Sequence, residues 1–119
     1  MLSCGAVSKV YSTERGDIEA VKGVDLAVPK GQFAAIVGRS GSGKSSLLAM
    51  IGGLSRPTRG TVRVEDTDIW SLPDRGLADF RNRRIGFVFQ FASLLPTLRV
   101  IDNVALPALR GPERDTRRA

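Results

Sequence analysis

The feature that most constrains this chain is a glycine-rich stretch at residues 38–45, GRSGSGKS, which fits the pattern G-x-x-x-x-G-K-[ST] at every fixed position. An apolar run, Phe33–Val37, leads into the stretch, and a run typical of a helix, Ser45–Ile51, leads out of it. A strand, a loop and a helix in this order form the setting in which the pattern binds phosphate. We therefore expect an α/β fold in which residues 38–45, the phosphate loop, bind a nucleotide.

Each residue type in the phosphate loop suits a triphosphate. The glycines allow positive φ angles, so that backbone N–H groups can converge on phosphate oxygens, and the helix that begins near Lys44 adds the positive end of its dipole. We expect Lys44 to reach the β- and γ-phosphates and Ser45 to offer its hydroxyl to Mg²⁺. The alternative is a turn that matches by chance, a coincidence of roughly one in a hundred or less in a short chain of average composition.

Composition places the chain among globular proteins and excludes several kinds of site. Of 119 residues, 42% are hydrophobic and 25% are charged, which is typical of one small domain or of part of a larger one. The absence of histidine and the single cysteine, Cys4, exclude histidine-based acid–base catalysis and a disulfide framework. The net charge of +6 fits phosphate-bearing partners as well as simple solubility. No apolar run approaches the length of a membrane span, so we expect a cytoplasmic location.

Hydrophobic periodicity and turn residues predict the remaining elements. Strands are expected at Val7–Tyr11, Val24–Val28, Phe33–Val37, Thr61–Val64 and Ile85–Phe89, and helices at Lys44–Ile51, Leu77–Arg84 and Val100–Arg110, the last of them broken near Pro107. The polar residues Gly111–Ala119 are expected to form a frayed tail. The cluster of Arg81, Arg83 and Arg84 is either a surface for acidic partners or a solvated helix face. No aromatic residues interleave it, so nucleic-acid binding is not expected.

Four groups of segments resemble the nucleotide-binding domain of ABC transporters and together cover nearly the whole chain. They are Val7–Tyr11 with Ala20–Leu26, Gly31–Val37 with the phosphate loop, Gly52–Leu54 with Pro57–Gly60, and Arg84–Gln90 with Leu94–Leu98 and Asp102–Val104. The run from Ile85 to Val104 resembles the lipoprotein-release and macrolide-export type. The phosphate loop alone is shared by many P-loop NTPases, whereas its combination with the Gln90 segment indicates this family.

The resemblance assigns roles to three residues outside the loop pattern. Tyr11 corresponds to the aromatic residue that stacks on adenine, with simple packing as the alternative. Ser46 corresponds to a position that meets the α-phosphate, with helix capping as the alternative. Gln90 corresponds to the glutamine of the Q-loop, which contacts Mg²⁺ or water near the γ-phosphate and senses the transmembrane partner; an amide that donates and accepts suits this role. A solvated loop residue is the alternative for Gln90.

The predicted site therefore consists of overlapping sets. Nucleotide binding is assigned to Tyr11, Gly38, Ser40, Gly41, Ser42, Gly43, Lys44, Ser45 and Ser46, metal binding to Ser45 and Gln90, and catalysis to Lys44 and Gln90. The resemblance implies ATP or ADP and Mg²⁺ as ligands. For the intact protein it also implies a homodimer, a transmembrane permease subunit as partner, and a peripheral position at the inner face of the cell membrane.

No stretch of the chain matches the Walker B acids, the signature loop or the switch histidine, which this family also needs to hydrolyse ATP. Val62–Asp66 ends in two acidic residues but carries an arginine within the strand, and Gly52–Ser55 has the letters of the signature loop in another order. In the family the signature loop, the Walker B acids and the switch histidine all follow the Q-loop. We therefore expect an α/β P-loop NTPase core, a mixed sheet with flanking helices, truncated before the signature and Walker B segments. Residues 1–90 would form the nucleotide-binding core, and residues 91–119 the Q-loop and the start of the helical subdomain.

Three functions stay open at this point. The first is the ATP-binding subunit of an exporter or lipoprotein-release complex, in which this chain alone binds Mg-ATP or ADP and hydrolyses it negligibly. The second is another P-loop NTPase, such as a repair ATPase or a small kinase, and the third is a non-catalytic remnant. We also expect exposed apolar side chains and self-association. The side chains concerned are those of Leu94, Leu95, Leu98, Ile101, Val104 and Leu106.

Overall fold

The computed structural model of the chain describes residues 1–91 and 94–106. It contains two compact units, Met1–Leu77 and a second unit that begins at Ala78. The elements in chain order are β1 (Leu2–Thr13), β2 (Gly16–Val28), α1 (Lys44–Ile51), β3 (Arg59–Val64), β4 (Thr67–Asp68), a 3₁₀ turn (Ile69–Ser71), α2 (Asp74–Arg84) and α3 (Val100–Ala105). None of the described helices has the length and apolar character that crossing a membrane requires.

The first unit is built on a four-stranded antiparallel sheet in the order β2-β1-β3-β4. β1 and β2 form a long hairpin whose pairing runs from Leu2 opposite Val28 to Thr13 opposite Gly16. The hairpin contains the strands predicted at residues 7–11 and 24–28 and extends well beyond both of them. β1 pairs with β3 on its other side, so β1 lies at the centre of the sheet and β2 at its edge.

The core of the first unit combines side chains from the sheet, from α1 and from the 3₁₀ turn. Val7 and Val62 of the sheet, Met50 of α1 and Ile69 of the 3₁₀ turn are completely buried. Burying one such side chain contributes about 1.5–3 kcal/mol. The indole N–H of Trp70 donates to the carbonyl oxygen of Met50 at 3.1 Å, which fixes the 3₁₀ turn to the carboxyl-terminal end of α1.

The predicted helix Lys44–Ile51 is confirmed at both ends. At its carboxyl-terminal end the N–H of Leu54 donates to the carbonyl of Ala49 at 2.8 Å, and the N–H of Gly53 donates to the carbonyl of Met50 at 3.2 Å. Gly53 has a φ of 69°, and this pair of hydrogen bonds around a left-handed residue is the Schellman motif. The glycine pair that follows α1 therefore ends the helix.

The two apolar strands predicted at Phe33–Val37 and Ile85–Phe89 are wrong. Neither segment pairs with a strand among the described residues, and the sheet there is antiparallel throughout. Phe33 is 97% exposed and Val88 is 95% exposed. A strand requires a neighbour that accepts and donates its ladder hydrogen bonds, and the described residues provide no such neighbour for either segment.

The second unit contains α3 and the turn that precedes it. The side chain of Asn103 accepts a hydrogen bond from the N–H of Leu95 at 2.8 Å and donates to the carbonyl oxygens of Leu95, Leu98 and Arg99 at 3.1–3.2 Å. One amide thus organises the turn of residues 95–99. The predicted exposure of apolar side chains is confirmed for Leu94, Leu95, Leu98, Ile101, Val104 and Leu106. The predicted break near Pro107 and the predicted tail lie outside the described residues.

Helix α2 begins at Asp74, three residues before its predicted start at Leu77, and ends at Arg84 as predicted. Asp74 lies in its first turn, and Arg81, Arg83 and Arg84 lie in its last turn. An acidic first turn and a basic last turn both complement the helix dipole. This placement is electrostatically favourable for the helix.

Candidate nucleotide-binding site

The backbone of the phosphate loop has the left-handed conformations that its glycines predict. The φ angle is 77° at Gly41 and 84° at Gly43. A Cβ atom added to Gly43 would collide with the carbonyl oxygen of Ala20 on β2. Glycine is therefore required at residue 43 both by its conformation and by the close approach of the loop to the sheet.

The ammonium group of Lys44 lies over the phosphate loop. Its Nζ donates to the carbonyl oxygens of Gly38 at 2.9 Å and Arg39 at 2.6 Å, and to Ser42 Oγ at 3.3 Å. All three acceptors are uncharged. Phosphate oxygens carry negative charge and would therefore bind the same ammonium group more strongly than these uncharged oxygens do.

The amino-terminal end of α1 is open. Gly43 occupies the N-cap position, and no side chain caps the helix. The first bond closing the helix runs from the N–H of Leu47 to the carbonyl of Gly43 at 2.9 Å. The N–H groups of the first turn, at residues 44–46, therefore have no partner within the helix and point in the direction where an anion is favoured.

Tyr11 of β1 lies beside the first turn of α1, although 35 residues separate it from Ser46. Its hydroxyl is 3.5 Å from Ser46 Oγ, and its side chain is 41% exposed. Ser46 does not cap the helix, because the N-cap position belongs to Gly43. The structure thus brings two predicted nucleotide-binding residues together at one end of the phosphate loop.

A cavity of about 670 Å³ lies between the phosphate loop and β2. On the loop side its lining includes Gly38, Gly41, Ser42, Gly43 and Lys44. On the other side it includes apolar residues of β2 such as Val21 and Val24. Ser40, at the tip of the loop, is exposed.

A model of the family described as "ABC transporter" matches residues 21–119. The chain belongs to the ABC transporter family. Because this match covers more than half of the chain and includes the phosphate loop, it confirms the resemblance drawn from the motifs.

Curated relatives place the chain within the ABC transporter family. The lipoprotein-releasing system ATP-binding protein LolD of Cytophaga hutchinsonii is 43% identical over 111 residues, which cover 93% of this chain and 49% of the relative. LolD of Alcanivorax borkumensis is 45% identical over 109 residues, which cover 92% of this chain and 48% of the relative. These relatives confirm the similarity to the lipoprotein-release type. The chain spans about half the length of the curated relatives that it matches.

Solved structures confirm the α/β P-loop fold class. The dimeric structure of MJ0796, described as a bacterial ABC transporter cassette, matches with a TM-score of 0.88 and 39% identity and covers 97% of this chain and 51% of that chain. A second dimeric structure of the MJ0796 cassette, in a post-hydrolysis state, is bound to ADP and Pi and matches equally well. Nucleotide binding is therefore a property of a close structural neighbour in the ABC transporter family.

Gln90 lies in the second unit, in the irregular segment that follows Phe89. Its predicted contact with Mg²⁺ or with water near the γ-phosphate remains a prediction. Within residues 1–91 and 94–106, no three His, Cys, Asp or Glu side chains are grouped so that they could hold a metal ion. The metal ligands predicted from the sequence, Ser45 and Gln90, likewise remain a prediction.

One cation beside the site was missed by the sequence analysis. Lys9 Nζ lies 5.1 Å from the centroid of the Tyr11 ring. Lys9 and Tyr11 are two residues apart in β1, and alternate residues of a strand face the same side of a sheet. This spacing is the signal that could have identified Lys9 as a neighbour of the predicted adenine-binding ring.

Proposed function

We propose that this chain is the nucleotide-binding part of the ATP-binding subunit of an ABC transporter of the lipoprotein-release or export type. The observation that carries the proposal is the arrangement at the phosphate loop. Lys44 Nζ lies over the loop on uncharged acceptors, next to an α1 amino terminus that no side chain caps. Both features favour an anion with several oxygens, as a triphosphate has.

The residues of the site fit Mg-ATP. Lys44 exchanges its bonds to loop carbonyls for bonds to the β- and γ-phosphates, while the first-turn N–H groups of α1 bind phosphate oxygens. Ser45, which is exposed, offers its hydroxyl to Mg²⁺, and Ser46 meets the α-phosphate. The Tyr11 ring stacks on the adenine. ATP, when bound, supplies the phosphoryl group whose transfer to water drives transport in the intact protein.

Binding and hydrolysis have different requirements in this chain. The phosphate loop, α1 and Tyr11 all belong to the first unit, which the antiparallel sheet holds together. The chain carries no matched Walker B acid, signature loop or switch histidine, so no residue in it serves as the general base. Within the intact subunit, Gln90 contributes to catalysis together with Lys44. We therefore expect this chain to bind ATP and to release phosphate negligibly.

The partners follow from the same proposal. The intact subunit forms a homodimer and acts with a transmembrane permease subunit at the inner face of the cell membrane, where it lies peripherally in the cytoplasm. Support comes from the names of the relatives, which include lipoprotein-releasing ATP-binding proteins, and from the dimeric MJ0796 cassette. Another P-loop NTPase, such as a repair ATPase or a kinase, is not favoured, because the family match covers residues 21–119.

The test is a calorimetric titration of the chain with Mg-ATP, with phosphate release followed in the same sample. Lys44→Ala removes the charged donor at the loop, and we expect it to weaken binding roughly tenfold to a hundredfold, since hydrogen bonds to charged groups contribute about 1.5–3 kcal/mol. Lys30→Ala, in the turn that follows β2, is the matched control and should bind as the unsubstituted chain does. Binding without release supports the proposal. If the chain does not bind Mg-ATP, the non-catalytic remnant is favoured instead. If the chain releases phosphate and Lys44→Ala abolishes that release, the expected lack of hydrolysis is refuted.

A further inference from the structure

We propose that Lys9 is a positioning residue for the nucleotide base, because its ammonium group covers one face of the Tyr11 ring and leaves the opposite face for adenine. This inference rests on the proposed function, namely that the chain binds ATP at the phosphate loop. It adds a residue that neither the phosphate-loop pattern nor the resemblance to the family assigns to the site.

The contact between Lys9 and Tyr11 has the geometry of a cation–π interaction. Lys9 Nζ lies 5.1 Å from the ring centroid, within the distance of about 6 Å over which the ring quadrupole attracts a cation. The hydroxyl end of the ring is held separately, 3.5 Å from Ser46 Oγ. The ring therefore has a contact at its face and a longer one at its tip, and its side chain is 41% exposed.

Lys9 is held in place by Arg56, which itself forms a second cation–aromatic pair with Trp70. Its Nζ donates to the carbonyl oxygen of Arg56 at 2.7 Å. The guanidinium of Arg56 donates to the carbonyl of Trp70 at 2.7 Å and lies 5.2 Å from the centroid of the indole ring. The indole N–H of Trp70 donates to the carbonyl of Met50 at 3.1 Å. These contacts connect the Tyr11 ring to the carboxyl-terminal end of α1, whose amino-terminal end borders the phosphate loop.

The contact with Lys9 orients the Tyr11 ring before a nucleotide binds. A half-exposed aromatic side chain that rotates freely must be immobilised when a base stacks on it, and this immobilisation weakens binding. Because Lys9 covers one face of the ring, a planar ligand would have to stack on the other face. We therefore expect Lys9 to strengthen the binding of the base and to leave the binding of the phosphates unchanged.

The experiment compares two ligands on the same chain, Mg-ATP and magnesium tripolyphosphate, which has the phosphates without the base. Lys9→Gln keeps an N–H donor and removes the cation, whereas Lys9→Arg keeps the cation. Lys30→Gln, in the exposed turn after β2, changes the net charge by the same amount and is the matched control. Emission of Trp70, the single tryptophan of the chain, reports whether each variant keeps the fold of the first unit.

We expect Lys9→Gln to weaken the affinity for Mg-ATP roughly twofold to tenfold, the range that immobilising one side chain corresponds to, and to leave the affinity for tripolyphosphate unchanged. Lys9→Arg should restore the affinity for Mg-ATP. In a chain that already carries Tyr11→Leu, removing the Lys9 cation should have no further effect, because no ring remains to be positioned.

Three results would overturn the inference. An equal loss of affinity for both ligands would mean that Lys9 contacts the phosphates, and an unchanged affinity for Mg-ATP would mean that the ring needs no support. A further loss in the Tyr11→Leu background would mean that Lys9 acts on something other than the ring. If the unsubstituted chain binds neither ligand, the proposed function itself fails; if it binds both and only the Lys9 comparison fails, the proposed function stands without this residue.

Discussion

Gly43→Ala should destabilise the chain through two separable effects. The φ angle of 84° at Gly43 requires a left-handed conformation, which raises the energy of an L-residue by about 1–2 kcal/mol. The new Cβ would also collide with the carbonyl oxygen of Ala20, and forcing an extra carbon into a packed site typically costs about 1–3 kcal/mol. We therefore expect the free energy of unfolding to fall by about 2–5 kcal/mol, measured by urea denaturation followed through Trp70 emission.

Two other glycines separate these effects. Gly41 and Gly31 have φ angles of 77° and 81°, but a Cβ added at either meets no atom within 4 Å. Gly41→Ala and Gly31→Ala should therefore cause only the conformational loss of about 1–2 kcal/mol. If Gly43→Ala destabilises the chain no more than these two controls do, the loop is not held against β2 at Ala20, and the steric part of the argument is refuted.

Three further outcomes are expected. Burial raises the pKa of the Cys4 thiol. The protonated thiol therefore contributes its full stability below the unfolded thiol's pKa of about 8.5, and this contribution is lost as the pH rises toward the folded pKa. Cys4→Ala should flatten the resulting alkaline decline in the urea midpoint. Asn103→Ala should release the turn that Asn103 holds through the N–H of Leu95, which faster amide hydrogen exchange at residues 95 and 97–99 would show. The exposed Phe33 and Val88 should promote self-association. Light scattering should therefore show a mass that rises with concentration, and Phe33→Ser and Val88→Ser should reduce this rise. A monodisperse monomer at high concentration would contradict the expectation.

Helix α1 could be predicted to the residue because its signals are local. A glycine with positive φ precedes Lys44, a run of good helix formers follows, and two glycines end the helix in a Schellman motif. All of these features act within one or two turns. The same is true of the phosphate loop, because its glycine pattern alone indicates the conformation of its backbone.

The strands predicted at Phe33–Val37 and Ile85–Phe89 failed because a strand is not a local structure. An apolar run indicates that a segment is suited to a buried strand, but only a neighbouring strand can satisfy its backbone groups. The β1–β2 hairpin shows the opposite case. It is longer than predicted because each strand pairs with a partner that is adjacent in sequence, and pairing continues through polar positions such as Asp17 and Lys9.

The contacts that complete the candidate site depend on distances along the chain that periodicity does not reveal. Tyr11 meets Ser46 across 35 residues, and Lys9 meets Arg56 across 47 residues. These contacts follow from the packing of α1 and the 3₁₀ turn on the sheet, through buried residues such as Met50 and Ile69. The motif could therefore indicate the candidate phosphate-binding residues, whereas the groups that we propose to orient the base could be found only from the fold.

The nucleotide-binding residues and Gln90 differ in how the surrounding structure of this chain supports them. Every residue assigned to nucleotide binding belongs to the first unit, where hydrogen-bonded strands and a buried core hold the phosphate loop against Ala20. Gln90, assigned to catalysis, follows a segment that forms no strand pair among the described residues. A catalytic side chain must be held close to its productive geometry by the elements around it. Because an unpaired and exposed segment does not provide that support, we expect the nucleotide to bind to this chain without the assembly of a hydrolytic site.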